Sequence, residues 1–245
     1  MKERLGLIGG SIFFDGFLED LKPVAVKTDF GEVEVLADNE IVYVQRHGKS
    51  SNIPPHKINY KANIAALKEL GVKKIVGMNS VGSVAWKIKP SSIVVPTDYI
   101  NLWNDVTFFD KEIQHITPGL DEELRLKIIS IAKKAGVSVT RWGIYFQSRG
   151  PRLETKAEVI MIKKFAEIVG MTMANEATLA KEMGLKYAAI CSVDNYAHGM
   201  EKKPLKEEEI AKLRKQNVAK VKKLIVKIIE EMKNESPDKK SSPEQ

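Results

Sequence analysis

Short apolar runs alternate with longer stretches of helical spacing along most of the chain. The apolar runs are at residues 4–8, 73–78, 92–96, 140–146 and 187–193, and segments 31–36 and 40–45 predict a β-hairpin across Asp38-Asn39. Apolar residues recur with helical spacing over 60–70, 120–135, 155–166, 175–183 and 205–232. Alternating strands and helices are typical of an α/β protein, so the sequence predicts one α/β domain.

Two segments lack a clear period. Residues 97 to about 119 are polar and aromatic, and an irregular segment of this length in a compact domain is usually a lid or an interface loop. Residues 233–245 are polar with prolines, which predicts a disordered tail. The folded domain is therefore expected to span residues 1–232.

Composition fits this interpretation: 245 residues, 43% hydrophobic and 29% charged, suit one globular domain. Lysine and arginine exceed aspartate and glutamate by 39 − 32 = 7, but the basic residues are scattered and aromatics are only 7%. This pattern indicates a solvated lysine-rich surface and no nucleic-acid partner. No signal peptide and no apolar run of membrane-spanning length is found, which predicts a cytoplasmic protein without a membrane partner.

The cysteine and histidine content argues against a disulfide framework and a metal site. The single cysteine, Cys191, lies in an apolar run and is interpreted as a buried structural thiol rather than a nucleophile. The four histidines do not have metal-ligand spacing.

Small and polar residues follow several predicted strands, and in open α/β sheets this edge is where ligands bind. Gly9-Gly10-Ser11 could offer backbone N–H groups to phosphate, although the dinucleotide and P-loop fingerprints are absent and a plain turn is the alternative. Arg46-His47 places a cation and an imidazole at a strand end, where an anion could bind; the alternative is a solvated, exposed arginine. Asn79-Ser80 and Asp194-Asn195 end two further strands.

The stretch Gln147 to Thr155 is the most prominent candidate for chemistry. A Gly150-Pro151 turn holds Arg149, Arg152, Leu153 and Glu154 between a predicted strand and a predicted helix, a position where loops commonly carry function. The alternative is that Glu154 only occupies the first helical turn, where its charge favours the helix dipole.

Several ordered blocks carry a resemblance to a known family. They are Gly-Leu-Ile-Gly-Gly-Ser at 6–11, Arg-His-Gly at 46–48, Pro-His-Lys-Ile-Asn-Tyr-Lys-Ala-Asn-Ile at 55–64, Asn-Ser-Val-Gly-Ser at 79–83, Gly-Pro-Arg-Leu-Glu-Thr at 150–155 and Gly-Met-Thr at 170–172. Over residues 4–230 the chain resembles the trimeric purine nucleoside phosphorylase and methylthioadenosine phosphorylase family. The resemblance implies a three-layer αβα fold around a mixed sheet, a homotrimer or a dimer of trimers, and phosphorolysis of purine nucleosides. It also implies no cofactor, with inorganic phosphate as co-substrate.

The resemblance also implies roles for individual residues. Phosphate would be held by a set of donors from four blocks: Ser11, Arg46, His47, Asn79, Ser80 and Thr172. Met171 would cover the ribose, Leu153 and Ala197 would border the base, and Asn195 would contact N7 and the exocyclic group, so that Arg46, His47 and Asn195 carry the catalysis. His115 of a neighbouring subunit and Ile210 would border the 5′ substituent, unless Ile210 only belongs to the core stripe of its helix. The chain departs from the family at Ile12, Leu153 and Ser51, where glycine, an aromatic residue and histidine are common.

The side chains of Glu154 and Asn195 predict which purine base the enzyme accepts. An ionised carboxylate only accepts hydrogen bonds, so Glu154 fits the N1 hydrogen of a 6-oxopurine, and the Asn195 amide can donate to O6. Relatives specific for methylthioadenosine have a small hydroxyl residue at the position of Glu154 and an aspartate at the position of Asn195. The prediction is therefore cleavage of inosine-type nucleosides, including 5′-methylthioinosine.

Three other functions are weighed against it, besides methylthioadenosine phosphorolysis. A hydrolase of the same superfold would need no phosphate site, a non-catalytic nucleoside-binding protein would bind without turnover, and a lysine-rich nucleic-acid binder would show strong salt dependence.

Overall fold

The computed structural model describes residues 3–10, 20–103, 106–201 and 207–234. Its strands are β1 (Arg4–Gly9), β2 (Lys22–Thr28), β3 (Gly31–Ala37), β4 (Ile41–Gln45), β5 (Val72–Ser83), β6 (Ile93–Val94), β7 (Asp98–Ile100), β8 (Ile144–Gln147), β9 (Ile168–Gly170) and β10 (Lys186–Tyr196). Its α-helices are α1 (Tyr60–Glu69), α2 (Glu122–Lys134), α3 (Lys156–Ile162), α4 (Met173–Glu182) and α5 (Glu207–Asn234), and Pro55–Lys57 forms a short 3-10 helix.

The strands form one mixed sheet. Parallel pairs join β1 to β4 and β5, β5 to β10, and β8 to β7 and β9. Antiparallel pairs join β2 to β3, β3 to β4, β5 to β9 and β6 to β10. The predicted hairpin of 31–36 and 40–45 is confirmed, with Leu36 opposite Tyr43.

Strand β5 creates a fork in this sheet. One of its edges pairs with β10 from Lys74 to Ser83. The other edge pairs with β1 up to Gly77 and then with β9 from Gly82. Because β1 and β9 diverge here, the intervening residues 78–81 lie along an opening between two strands, which is the kind of place where α/β proteins bind ligands.

Helices cover both faces of the sheet. On one face α1 packs against α4, and their apolar residues share a core with Ile8, Ile75 and Tyr187. On the other face α2 packs against α5, in a core with Leu7, Val76 and Ile190. Neighbouring strand residues thus point to opposite cores, as the period of two requires. The expected three-layer αβα fold is confirmed.

Side-chain caps explain where two of the helices begin. The side chain of Asn59 accepts a hydrogen bond from the Ala62 N–H at the start of α1. Asp121 does the same for Leu124 at the start of α2. Each such cap is worth about 1 kcal/mol of stability.

The sequence missed β2 because most of Lys22–Thr28 is exposed and carries only a weak alternating pattern. The predicted helix 155–166 is shorter than expected and ends at Ile162.

Cys191 is fully buried, and burial raises the pKa of its thiol, which confirms a structural role. Within the described ranges, no helix combines the length and the apolar character that crossing a bilayer demands. Residues 235–245 of the predicted tail lie outside the described part.

Candidate active site

A cavity of about 260 Å³ opens at the fork of β5. Its lining comes from the ends of β1, β4, β5, β9 and β10 and from the loop before α3: Gly10, Arg46, His47, Pro55, Met78, Ser80, Val81, Gly82, Leu153, Glu154, Val169, Gly170, Met171, Thr172, Asp194, Asn195, Ala197 and His198. Most residues that the sequence selected are therefore brought together at one place.

Arg46 is buried at the floor of this cavity, with 3% of its surface exposed. Its Nε and Nη2 donate to the two carboxylate oxygens of Glu176 at 2.6 and 3.0 Å, and Tyr187 donates to the same carboxylate at 2.7 Å. Burial acts to lower the pKa of Arg46, but the Glu176 carboxylate outweighs it and raises that pKa further above its usual value. The alternative of a solvated, exposed arginine was wrong, because Arg46 pairs with a carboxylate on α4 that is 130 positions away in the sequence.

Most of the guanidinium hydrogens of Arg46 are used inside the protein. Nη2 also donates to the Ile8 carbonyl at 3.3 Å, and Nη1 donates to the Met78 carbonyl at 2.6 Å. A Cβ added at Gly10 would lie 3.2 Å from Nη1, so Gly10 keeps the approach to this nitrogen open. One Nη1 hydrogen thus remains for an anion in the cavity, since an arginine carries five such hydrogens.

His47 lies beside this nitrogen, with Nε2 near Gly10. Its Nδ1 is 2.7 Å from the Ile53 carbonyl. A carbonyl only accepts, so Nδ1 carries the hydrogen, and Nε2 of the neutral ring is an acceptor. Burial lowers the pKa of His47, which favours the neutral ring.

Asn79 and Thr172 provide a second group of donors. The Asn79 amide donates to the Thr172 hydroxyl at 3.0 Å, which leaves the hydroxyl hydrogen of Thr172 for a further acceptor. The first N–H groups of α4 are satisfied from β8, since Tyr145 Oη accepts from Thr172 and Met173 and the Gln147 amide accepts from Ala174. The donors that remain for a ligand in this part of the cavity therefore come from side chains and strand backbone rather than from this helix terminus.

The open edge of β5 adds a backbone donor. The Met78 carbonyl points to this edge, because it accepts from Arg46 there. Residues two apart on a strand point the same way, so the Ser80 N–H faces the cavity as well. The Ser80 hydroxyl itself donates to the Asp194 carboxylate.

The base end of the cavity holds Glu154, Leu153, Asn195 and Ala197. Glu154 is 8% exposed and precedes Thr155, the N-cap of α3, so it is not in the first helical turn and that alternative is wrong. The carboxylate of the first turn is Glu158, whose pKa falls to about 2 through its hydrogen bonds with Arg152 and Thr155. Leu153 is 69% exposed at the mouth of the cavity.

Asn195 uses one of its amide hydrogens on the Tyr196 carbonyl, at 2.7 Å. The other amide hydrogen and the amide oxygen remain for a base. On the opposite side, Tyr60 donates to the Met171 carbonyl at 3.3 Å, and a Cβ at Gly150 would lie 2.7 Å from Met171 Sδ. Gly150 also has a positive φ of 66°, so the close approach and the backbone both require glycine there.

Several expected positions are not among the described residues that line the cavity. Ser11 and Ile12 lie outside the described residues, as does the side chain of Ile210. His115 is exposed in the irregular segment before α2 and does not line the cavity of its own chain. Ser51 does not line it either.

Glu176, Tyr187 and Tyr145 support the site but were not selected from the sequence. Tyr145 and Tyr187 are buried within strand-like runs, and no local pattern distinguishes them from ordinary core residues. The available signal was the carboxylate of Glu176 close to the apolar residues Met173, Ala177 and Ala180 of α4, because a fully buried acid needs a cationic partner.

Comparisons with known proteins show the family to which the chain belongs. Residues 4–230 match the model of the Phosphorylase superfamily, and the chain belongs to this family. It is 42% identical to a protein of Archaeoglobus fulgidus named probable 6-oxopurine nucleoside phosphorylase, over 93% of this chain and 94% of the relative.

Further relatives carry related names. A Hyperthermus butylicus protein named S-methyl-5′-thioadenosine phosphorylase is 40% identical over 98% of this chain and 92% of its own. A Methanocaldococcus jannaschii protein named probable S-methyl-5′-thioinosine phosphorylase is 38% identical over 94% and 92%. The solved structure of methylthioadenosine phosphorylase from Schistosoma mansoni with tubercidin superposes with a TM-score of 0.85 at 25% identity, over 96% of this chain and 93% of that one.

Proposed function

We propose that this protein is a purine nucleoside phosphorylase that cleaves 6-oxopurine nucleosides with inorganic phosphate. The observation that carries the proposal is that one cavity holds two groups of polar side chains, one suited to phosphate and the other to a purine base. Arg46, His47 and Thr172 offer donors to a phosphate, and Glu154 and Asn195 offer an acceptor and a donor to a base. The names of the relatives support the same chemistry.

The cavity suits a displacement at the anomeric carbon. The glycosidic C–N bond breaks, its electron pair leaves with the purine, and a phosphate oxygen forms the new bond to the same carbon. Asn195 stabilises the departing base by donating a hydrogen bond, while the donors around Arg46 hold the nucleophile on the other side of the sugar. These contacts accelerate the reaction to the extent that they bind the charged transition state better than the substrate. Phosphate is a co-substrate, and the reaction needs no other cofactor.

Glu154 selects the base in this proposal. Its buried carboxylate accepts the N1 hydrogen of hypoxanthine or guanine but faces the N1 lone pair of adenine. The Asn195 amide donates to O6. A buried site with matched polar groups discriminates by orders of magnitude, because the wrong base leaves them unpaired.

The 5′ substituent is the finer part of the proposal. An apolar residue at position 210 and the relative named methylthioinosine phosphorylase favour 5′-methylthioinosine as a substrate. The second candidate is methylthioadenosine phosphorolysis, which the name of the Hyperthermus butylicus relative favours.

One assay separates these functions. Inosine, guanosine, adenosine, methylthioinosine and methylthioadenosine are each incubated with and without phosphate, and the release of free base is measured. Phosphate-dependent cleavage of the 6-oxopurine nucleosides is expected. Cleavage without phosphate would identify a hydrolase, and nucleoside binding without turnover would identify a binding protein.

We also propose that the chain forms a homotrimer, as the family resemblance implies. Exposed apolar side chains border the proposed base end of the cavity, namely Leu102, Trp103, Leu153 and Met161. A second cavity of about 310 Å³ there includes Leu102, Trp103 and Met161 and shares Glu154 with the site. A neighbouring subunit would cover this surface and bring its own His115 near the sugar. Light scattering on the purified protein should give the mass of three chains, and a monomer would contradict this proposal.

A further inference from the structure

Asp194 is a buried carboxylate that faces the cavity and has no role in the reaction described above. It is 2% exposed and accepts hydrogen bonds from both sides: from the Ser80 hydroxyl, and from the Ser192 hydroxyl at 3.0 Å. It is among the residues that line the cavity. A buried acid beside a site for an anion is unfavourable for binding that anion, so its presence calls for an explanation.

A local irregularity of β10 puts Asp194 in this place. The pairing of β10 with β5 shifts between Val193 and Asn195, so that Asp194 has no Cα partner on β5. Successive side chains of a regular strand point to opposite faces, but such a bulge re-aims one of them. As a result both Asp194 and Asn195 line the same cavity.

Two residues next to Asp194, one a hydrogen-bond partner and the other the next residue in the chain, indicate where its charge lies relative to a substrate. On one side it bonds to Ser80, on the open edge of β5 where phosphate is proposed to bind. On the other side it is followed by Asn195, which is proposed to contact the base. The sugar carbon that loses the base and accepts the phosphate must lie between these two groups, next to the carboxylate.

We propose that the charge of Asp194 stabilises the positive charge that develops on the sugar in the transition state, at the cost of weaker phosphate binding. This proposal rests on the proposed phosphorolysis. In this proposal the charge of Asp194 weakens phosphate binding but accelerates the cleavage of the C–N bond. A negative charge opposes the phosphate in the ground state, but it favours the cationic sugar once the C–N bond has lengthened.

The alternative is that Asp194 only ties β5 to β10 through its two serines. The variants Asp194→Asn and Asp194→Ser remove the charge, and Ser192→Ala removes one of the two ties but keeps the charge. For each variant the melting temperature, the dissociation constant of inorganic phosphate by calorimetry, and kcat and KM with inosine are measured.

We expect Asp194→Asn to lower kcat on the order of tenfold to a hundredfold and to bind phosphate about two- to fivefold more tightly. Ser192→Ala should keep kcat within about threefold of the wild type. Weaker phosphate binding in both Asp194 variants, an unchanged kcat, or loss of folding in both would overturn the proposal. Failure of the proposed phosphorolysis would instead show as a wild type without phosphate-dependent cleavage, and the calorimetry would still test where the charge lies.

Discussion

The phosphate end of the cavity is held by buried side chains of several strands and a helix, whereas the base end is held by a loop and a strand terminus. Arg46 is fixed by Glu176, which also accepts from Tyr187, and all three are buried. At the proposed base end, Leu153 is largely exposed, and Asn195 donates to the carbonyl of its neighbour Tyr196. We therefore infer that the proposed phosphate end is anchored in the core, and that residues of the proposed base end can be substituted with less effect on the core.

The largest effect that tests this contrast is expected at Arg46. Arg46→Ala should abolish phosphorolysis and also lower the free energy of unfolding by about 3–5 kcal/mol, because Glu176 would remain as an unpaired buried charge. Denaturant unfolding and the phosphorolysis assay measure the two losses separately. The variant Arg46→Met with Glu176→Gln removes both charges and keeps an acceptor for Tyr187, so it should regain stability but stay inactive. Phosphorolysis by the double variant would contradict the proposal that Arg46 binds phosphate.

The second effect concerns base selectivity. Asn195→Asp combined with Glu154→Ser should lower the ratio of kcat/KM for methylthioinosine to that for methylthioadenosine by about a hundredfold or more. The melting temperature should change little, since neither residue anchors the core. Leu153→Ala is the control, because an exposed apolar side chain contacts either base alike and should lower both activities equally. If the wild type already cleaves methylthioadenosine as efficiently as methylthioinosine, the proposed roles of Glu154 and Asn195 are wrong.

The third effect returns to the phosphate end. Because the Nδ1 hydrogen of His47 is used on Ile53, Nε2 donates to phosphate only when the ring is protonated. Burial lowers the pKa of His47, so phosphate must bind together with a proton when it uses this donor. We expect phosphate affinity to fall as the pH rises, by about tenfold more in the wild type than in His47→Gln, whose amide donates at every pH. Identical pH profiles of the two proteins would show that His47 does not donate.

The same pKa shift predicts a small effect on folding. Because the folded-state pKa of His47 is below its unfolded value of about 6.5, its contribution to stability is present above that pH. The contribution is lost as the pH falls through 6.5 towards the folded-state pKa. The unfolding free energy of the wild type should therefore drop more than that of His47→Gln between pH 7 and pH 5.

The smallest effect is expected where the base loop meets α3. Thr155→Ala removes one half of the capping box that Thr155 forms with Glu158 and should cost about 1 kcal/mol of unfolding free energy. Arg152→Ala, which breaks an exposed ion pair with Glu158 and a hydrogen bond to the Leu153 carbonyl, should cost less than that. Neither should change kcat. A large loss of kcat in Thr155→Ala would mean that the base end is as tightly coupled to the scaffold as the phosphate end.

The sequence predicted the parts of this protein that depend on local patterns. Helix α1 begins at the predicted residue, and Arg46 directly follows β4 as predicted, because an apolar run gives way to polar residues there. The strand ends predicted before Asn79 and Asn195 were wrong, since β5 continues to Ser83 and β10 to Tyr196. The burial of Arg46 was not predictable in this way, since its partner Glu176 lies 130 positions away. The same holds for Asp194, whose orientation depends on a shift in pairing between two strands that only the assembled sheet reveals.

The fork of β5 has a consequence for hydrogen exchange. Between Lys74 and Gly77 this strand is enclosed by partners on both edges, so its amides should open only with global unfolding and exchange among the slowest in the protein. Residues 78–81 have β10 along one edge and the cavity along the other. The Ser80 amide, which faces the cavity, should therefore exchange faster than those of its neighbours within the same strand, and added phosphate should slow it. A single strand would then report both the stability of the whole fold and the occupancy of its site.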